Sequence, residues 1–131
     1  FLHTHTFHWE LLLPASSIGF FTTAVLNINN MRDHEVDAKS GKNTLVVRIG
    51  IEKAKNYHRA LIFGGITLTF VFVIPSSQYF HYAFAVTIPL FVRFVQSIRK
   101  RNDFENFDPF LKKQAIATFI FAILFVLGIN M

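Results

Sequence analysis

Three runs of this chain carry no Asp, Glu, Lys or Arg: the 21 residues between Glu10 and Arg32, the 33 between Arg59 and Arg93, and the last 18, from Gln114 to Met131. Each is long enough to cross a bilayer as a helix. The middle run would make one straight helix of about 50 Å against a hydrocarbon core of about 30 Å, so it predicts a hairpin of two helices. Residues 75–82, PSSQYFHY, supply a turn-forming, aromatic and polar patch suited to a membrane interface. The expected fold is all-α: a polytopic transmembrane helix bundle with about four spans, near 11–31, 59–75, 82–98 and 114–130. An apolar fraction of 52% with seventeen Phe agrees with a chain solvated largely by membrane lipids.

Alternation of four spans puts the 32–58 and 99–113 connections on one side, and the chain start and the 76–81 turn on the other. Arg32, Lys39, Lys42, Arg48, Lys53, Lys55 and Arg59 belong to the first connection, and Arg99, Lys100, Arg101, Lys112 and Lys113 to the second. Arg93 lies near the same end of its helix, so every basic residue falls on one side. The positive-inside rule makes that side cytoplasmic. Such loops account for the net charge of +5, and no nucleic-acid partner is needed to explain it. With no cysteine, disulfides, thiolate nucleophiles and Cys-based metal sites are excluded.

Asn29, Asp33 and Asp37 follow one another at intervals of four where the first apolar run meets the charged connection. On a helix, positions four apart drift by only about 40° per step, so three oxygen-bearing side chains line one stripe. Carboxylates at a membrane edge are costly and usually functional. An oxygen-only donor set suits a hard cation, and Mg²⁺ typically takes one or two protein carboxylates and completes its shell with water and substrate phosphates. Lys39, Lys42 and Arg48 follow in a loop opened by Ser40-Gly41, and a diphosphate is a fitting partner for such cations. Metal and cations together would stabilise a departing diphosphate. No general base and no Ser/His/Asp arrangement is apparent. The bland alternative for the stripe is a solvated helix cap, and a different class is a transporter or channel site for a permeating cation. The latter belongs near the bilayer midplane at broken helices, whereas these carboxylates sit at a helix end.

The segment NNMRDHEVDAKSGKNTLVVRIG resembles the second Asp-rich motif of the UbiA superfamily of intramembrane prenyltransferases. Within it, RD-x-E-x-D followed by GKNTLVVRIG looks most like the menaquinone-pathway branch, whose acceptor is 1,4-dihydroxy-2-naphthoate. LLLPASSIGFFTTAVLNI and DPFLKKQA are similar to that family's flanking stretches. The resemblance implies a partial UbiA-type fold, the C-terminal part of a bundle typically of nine spans, in the bacterial inner membrane. Two Asp-rich motifs there face each other across a cytoplasm-side cavity and hold Mg²⁺ against a polyprenyl diphosphate. Ionisation gives an allylic cation that the aromatic acceptor attacks, and the naphthoate loses its carboxylate as CO₂. The 4-hydroxybenzoate and haem O branches are the near alternatives. Carried over by position, Asn29, Asp33 and Asp37 match the motif's metal ligands, with Asp33 and Asp37 central to catalysis. Lys39, Lys42 and Arg48 match basic positions beside the diphosphate. No first NxxxDxxxD motif occurs elsewhere in the chain, so the expectation is a polypeptide inactive by itself.

Other features carry less. The tract containing His3, His5 and His8 reads as an interfacial loop with Trp9 as a headgroup anchor. His58 and His81 read as helix-end residues, Arg32 and His34 as surface or headgroup contacts, and Glu35 as facing away from Asp33. Gly64-Gly65 and the small residues Ala15, Ser16, Ser17 and Gly19 read as a close-packing surface. Pro14 and Pro89 are candidate kinks, and residues 99–113 an amphipathic connection.

Overall fold

The structure, a computed structural model, describes residues 9–76, 78–101 and 107–131. After a 3₁₀ turn at Trp9–Leu11, five α-helices follow: α1 (Leu12–Lys39), α2 (Leu45–Ile49), α3 (Ile51–Val73), α4 (Ile88–Arg99) and α5 (Asp108–Asn130). A 3₁₀ segment, Tyr79–Thr87, leads directly into α4. The His3, His5 and His8 tract lies outside the described residues, and Trp9 just after it is exposed.

Among the described residues, three helical units are long and apolar enough to cross a membrane: Trp9–Lys39, Tyr79–Arg99 and Asp108–Asn130. The expected second span, 59–75, overlaps the 23-residue α3, which ends at Val73, carries Glu52, Lys53, Lys55 and Arg59 in its first turns and is not one of these three. The hairpin expected in the middle run is present, turning between Val73 and Tyr79. Helix α1 outlasts its apolar stretch by two turns and so carries the acidic stripe on continuous helix. Pro14 sits in the first turn of α1, where a missing N–H costs nothing, and Pro89 is the second residue of α4 at the 3₁₀ junction.

The contacts fix the topology. Ser17 Oγ donates to Gly65 O at 2.7 Å, whereas Asn27 Nδ2 donates to Ala54 O at 3.0 Å, so α1 and α3 run antiparallel. The closeness of that pair rests on glycine, since a Cβ on Gly65 would lie 2.8 Å from Phe21 Cε1. The Phe21 ring stacks on Phe91 of α4 at 4.7 Å and meets Phe121 of α5 edge-on at 4.6 Å. Arg32 of α1 reaches Asp108 at the start of α5, so α1 and α5 are antiparallel too. The C-terminal ends of α1 and α4 and the N-terminal ends of α3 and α5 therefore gather at one end of the bundle. A separate apolar cluster closes that end, formed by Ile28, Met31, Val46, Ala54, Ile98 and Phe107. The larger, Phe-rich cluster occupies the remaining depth. His58 is not a helix-end residue: α3 begins at Ile51, which leaves His58 two turns inside it and 1% exposed.

Candidate active site

The loop after α1 is built by a glycine. Gly41 has φ +76°, its N–H donates to Ala38 O at 3.2 Å, and Lys42 N–H donates to Asp37 O at 2.9 Å. This pair of bonds is a Schellman cap, which satisfies carbonyls that the helix end would leave bare. It also folds the chain back, so that Lys42 Nζ lies 3.1 Å from Asp37 Oδ1. Thr44 then caps α2, its Oγ1 accepting from Val47 N–H at 3.3 Å.

The stripe resolves into two adjoining parts. In the first, Asn29 Nδ2 donates to Asp33 Oδ2 at 3.3 Å. Arg32 lies across both: Nε donates to Asp33 Oδ1 at 2.7 Å, and Nη2 donates to Asp33 Oδ2 at 3.0 Å and to Asn29 Oδ1 at 2.9 Å. Its Nη1 donates to Asp108 Oδ1 on α5. In the second part, Asp37 is buried at 6% exposure; Oδ1 meets Lys42, while Oδ2 is enclosed and, among the described residues, accepts no hydrogen bond. The separation follows from helical drift, because two steps of about 40° turn Asp37 well away from Asn29 and toward the bundle.

Lys39 and Arg48 are exposed, and among the described residues neither is paired with Asn29, Asp33 or Asp37. Arg32, expected at the surface, is instead the hub of the first part. Its spacing from Asn29, three residues on a helix, was the available signal. Asp108, 76 positions from Arg32, offered none. His34 Nδ1 lies 2.9 Å from Met31 O, and Glu35 is exposed as expected.

Among the described residues, no three His, Cys, Asp or Glu side chains are grouped so as to hold a metal by themselves. The donors present do fit a hard divalent cation that draws most of its shell from water and phosphate: the amide oxygen of Asn29 and the carboxylates of Asp33 and Asp37, the latter with one oxygen that accepts no hydrogen bond among the described residues. Beside Asn29 an open groove of about 420 Å³ runs between α1 and α5, lined by Thr22, Thr23, Val25, Leu26 and Leu111. Its walls are mainly apolar and its stripe end is polar.

Among characterised proteins, the chain is 37% identical over 130 residues to 1,4-dihydroxy-2-naphthoate octaprenyltransferase of Escherichia coli K12. It is 34% identical over 130 residues to the Haemophilus influenzae protein of the same name, and 30% identical over 115 residues to that of Mycobacterium leprae. The first two matches cover 98% of this chain but 42% of each relative, and the third covers 88% and 38%. The chain thus spans about two fifths of the length of these relatives. No solved structure matches it. The model of the UbiA prenyltransferase family matches residues 1–123, and the chain belongs to that family.

Proposed function

We infer that this chain takes part in Mg²⁺-dependent transfer of a polyprenyl group from its diphosphate to 1,4-dihydroxy-2-naphthoate, a step of menaquinone biosynthesis. The observation that carries this is the enclosed Oδ2 of Asp37, which accepts no hydrogen bond among the described residues and lies one turn along α1 from Asp33, beside a cationic loop. A carboxylate oxygen buried without a donor is costly unless a cation or donor reaches it. The naphthoate acceptor is supported by the names of the relatives, and the polyprenyl donor by the apolar groove that opens beside Asn29.

In this reading, Asn29, Asp33 and Asp37 hold Mg²⁺. Bound there, the ion supplies Lewis-acid neutralisation of the diphosphate leaving group. Lys42 is already seated on Asp37 and adds a mobile ammonium to the same anion. Lys39 and Arg48, exposed nearby in sequence, extend the positive field that draws the diphosphate in from the cytoplasm. The groove between α1 and α5 takes the first isoprene units and excludes water from them. The acidic end faces the cytoplasm of a bacterial inner membrane.

The test is binding. The chain is reconstituted in nanodiscs together with the upstream half of the Escherichia coli relative, which supplies the sequence this chain does not match. It is then titrated with a short prenyl diphosphate, with and without Mg²⁺. Binding is expected to require Mg²⁺ and to fall at least tenfold in Asp37→Asn. Turnover is expected from the combined halves and not from the 131 residues alone. Metal-independent binding, or an Asp37→Asn variant that binds like wild type, refutes the assignment. A cation flux abolished by the same substitution would favour transport instead.

A further inference from the structure

The guanidinium of Arg32 takes up both oxygens of Asp33 and the amide oxygen of Asn29, at 2.7, 3.0 and 2.9 Å. Those three atoms are most of what the first part of the stripe has to give a cation. A divalent ion placed on them would face a fixed positive charge already seated on the same lone pairs. Arg32 nevertheless has a second anchor. Its Nη1 already touches Oδ1 of Asp108, which projects from the first turn of a different helix and is 74% exposed. The Arg32 side chain is 28% exposed, so it has solvent-side room to move.

We propose that Arg32 is the resident counter-cation of the acidic stripe: it neutralises Asp33 and occupies the Asn29 amide oxygen in the absence of metal, and withdraws onto Asp108 when a divalent cation binds. This rests on the metal reading given above and adds a positioning pair of which the Asp-rich segment contains one member, Arg32, and α5 the other, Asp108. The pair has two consequences. Two carboxylates one helical turn apart repel, and Arg32 relieves that repulsion while the site is empty of substrate. Removing the guanidinium from the metal's ligands without returning it to bulk water keeps α1 tied to α5 throughout.

The roles of Arg32 and Asp108 have opposite signs, and a cycle separates them from general electrostatics. The chain is reconstituted in phosphatidylcholine nanodiscs, and binding of Mn²⁺ is read by the loss of the free-ion electron paramagnetic resonance signal. Arg32→Gln is expected to tighten Mn²⁺ about twofold to fivefold, the range set by displacing a partly exposed ion pair. Asp108→Asn, which removes the second anchor, is expected to weaken binding about threefold in the wild-type background and to have no effect in the Arg32→Gln background. Arg32→Lys keeps the charge but loses the fork, and is expected to fall between wild type and Arg32→Gln, which covers the case in which Arg32→Gln does not fold. Equal weakening by Asp108→Asn in both backgrounds would make Asp108 a distant charge and overturn the proposal. So would an Arg32→Gln variant that binds no more tightly than wild type. Failure of the wild type to bind Mn²⁺, or an Asp33→Asn variant that binds equally well, removes the metal reading itself and this inference with it.

Discussion

Gly50 joins α2 to α3 with φ +80° and ψ +161°, a backbone conformation open in practice only to glycine. A Cβ added there meets nothing within 4 Å, so Gly50→Ala perturbs the backbone and leaves packing untouched. The strain of holding alanine at those angles is about 1–3 kcal/mol. The stiffer unfolded chain returns up to about 1 kcal/mol of that. Gly50→Ala is therefore expected to destabilise the protein by about 1–2 kcal/mol. Gly19 supplies the control. It is exposed on α1, a Cβ there also meets nothing, and its conformation is helical. Gly19→Ala should stabilise by about 0.5–1 kcal/mol, since alanine is the better helix former. One chemical change at two sites thus carries opposite signs. Unfolding in mixed micelles, driven by added sodium dodecyl sulfate and followed by far-ultraviolet circular dichroism, measures both. A Gly50→Ala variant as stable as wild type would refute the reasoning. It would mean that α2 is not held by this link, and that the position of Arg48 is not set by it.

Three further outcomes are expected. Chelation of divalent ions from the combined halves should abolish pyrophosphate protection of the 40–44 loop against trypsin, with protection restored by Mg²⁺ in wild type but not in Asp37→Asn. Gly128→Ala should destabilise by about 1–3 kcal/mol, because the new Cβ runs into the backbone carbonyl of Phe80, which has no side-chain freedom with which to yield. The thermal midpoint in detergent measures this, and an unchanged midpoint would show that the 3₁₀ segment is not pressed against α5. Gln114 is fully buried, with neither amide atom hydrogen-bonded among the described residues, so Gln114→Leu should leave stability unchanged or raise it by about 1–3 kcal/mol. A loss of stability in the same titration would reveal a polar partner for that amide.

The parts of the fold that the sequence discloses are those governed by one-dimensional rules. Charge-free runs set the spans, and the excess length of the Arg59–Arg93 run forced a hairpin that the structure contains. Ser40-Gly41 marked the end of α1, because a left-handed cap needs glycine and Gly41 has that conformation. Spacing by four put Asn29, Asp33 and Asp37 along a helix edge, and α1 is continuous through all three. What could not be read depends on which helices become neighbours. The expectation for Arg32 failed because its partner Asp108 is brought near by the packing of α5 on α1. The expectation for His58 failed because helix α3 starts nine residues ahead of the apolar run: turns carrying Glu52, Lys53 and Lys55 look like loop to a hydropathy argument, yet they are wound as helix against α1.

The Tyr79–Thr87 segment has a mechanical corollary. A 3₁₀ coil advances about 2.0 Å per residue and an α-helix about 1.5 Å, so these nine residues are about 4–5 Å longer than the same residues wound as α-helix. Bilayers of different composition differ in thickness by a similar amount. Rewinding the segment as α-helix would therefore shorten this arm of the hairpin by that length without altering α4 or the apolar cluster that Ile98 joins at its far end.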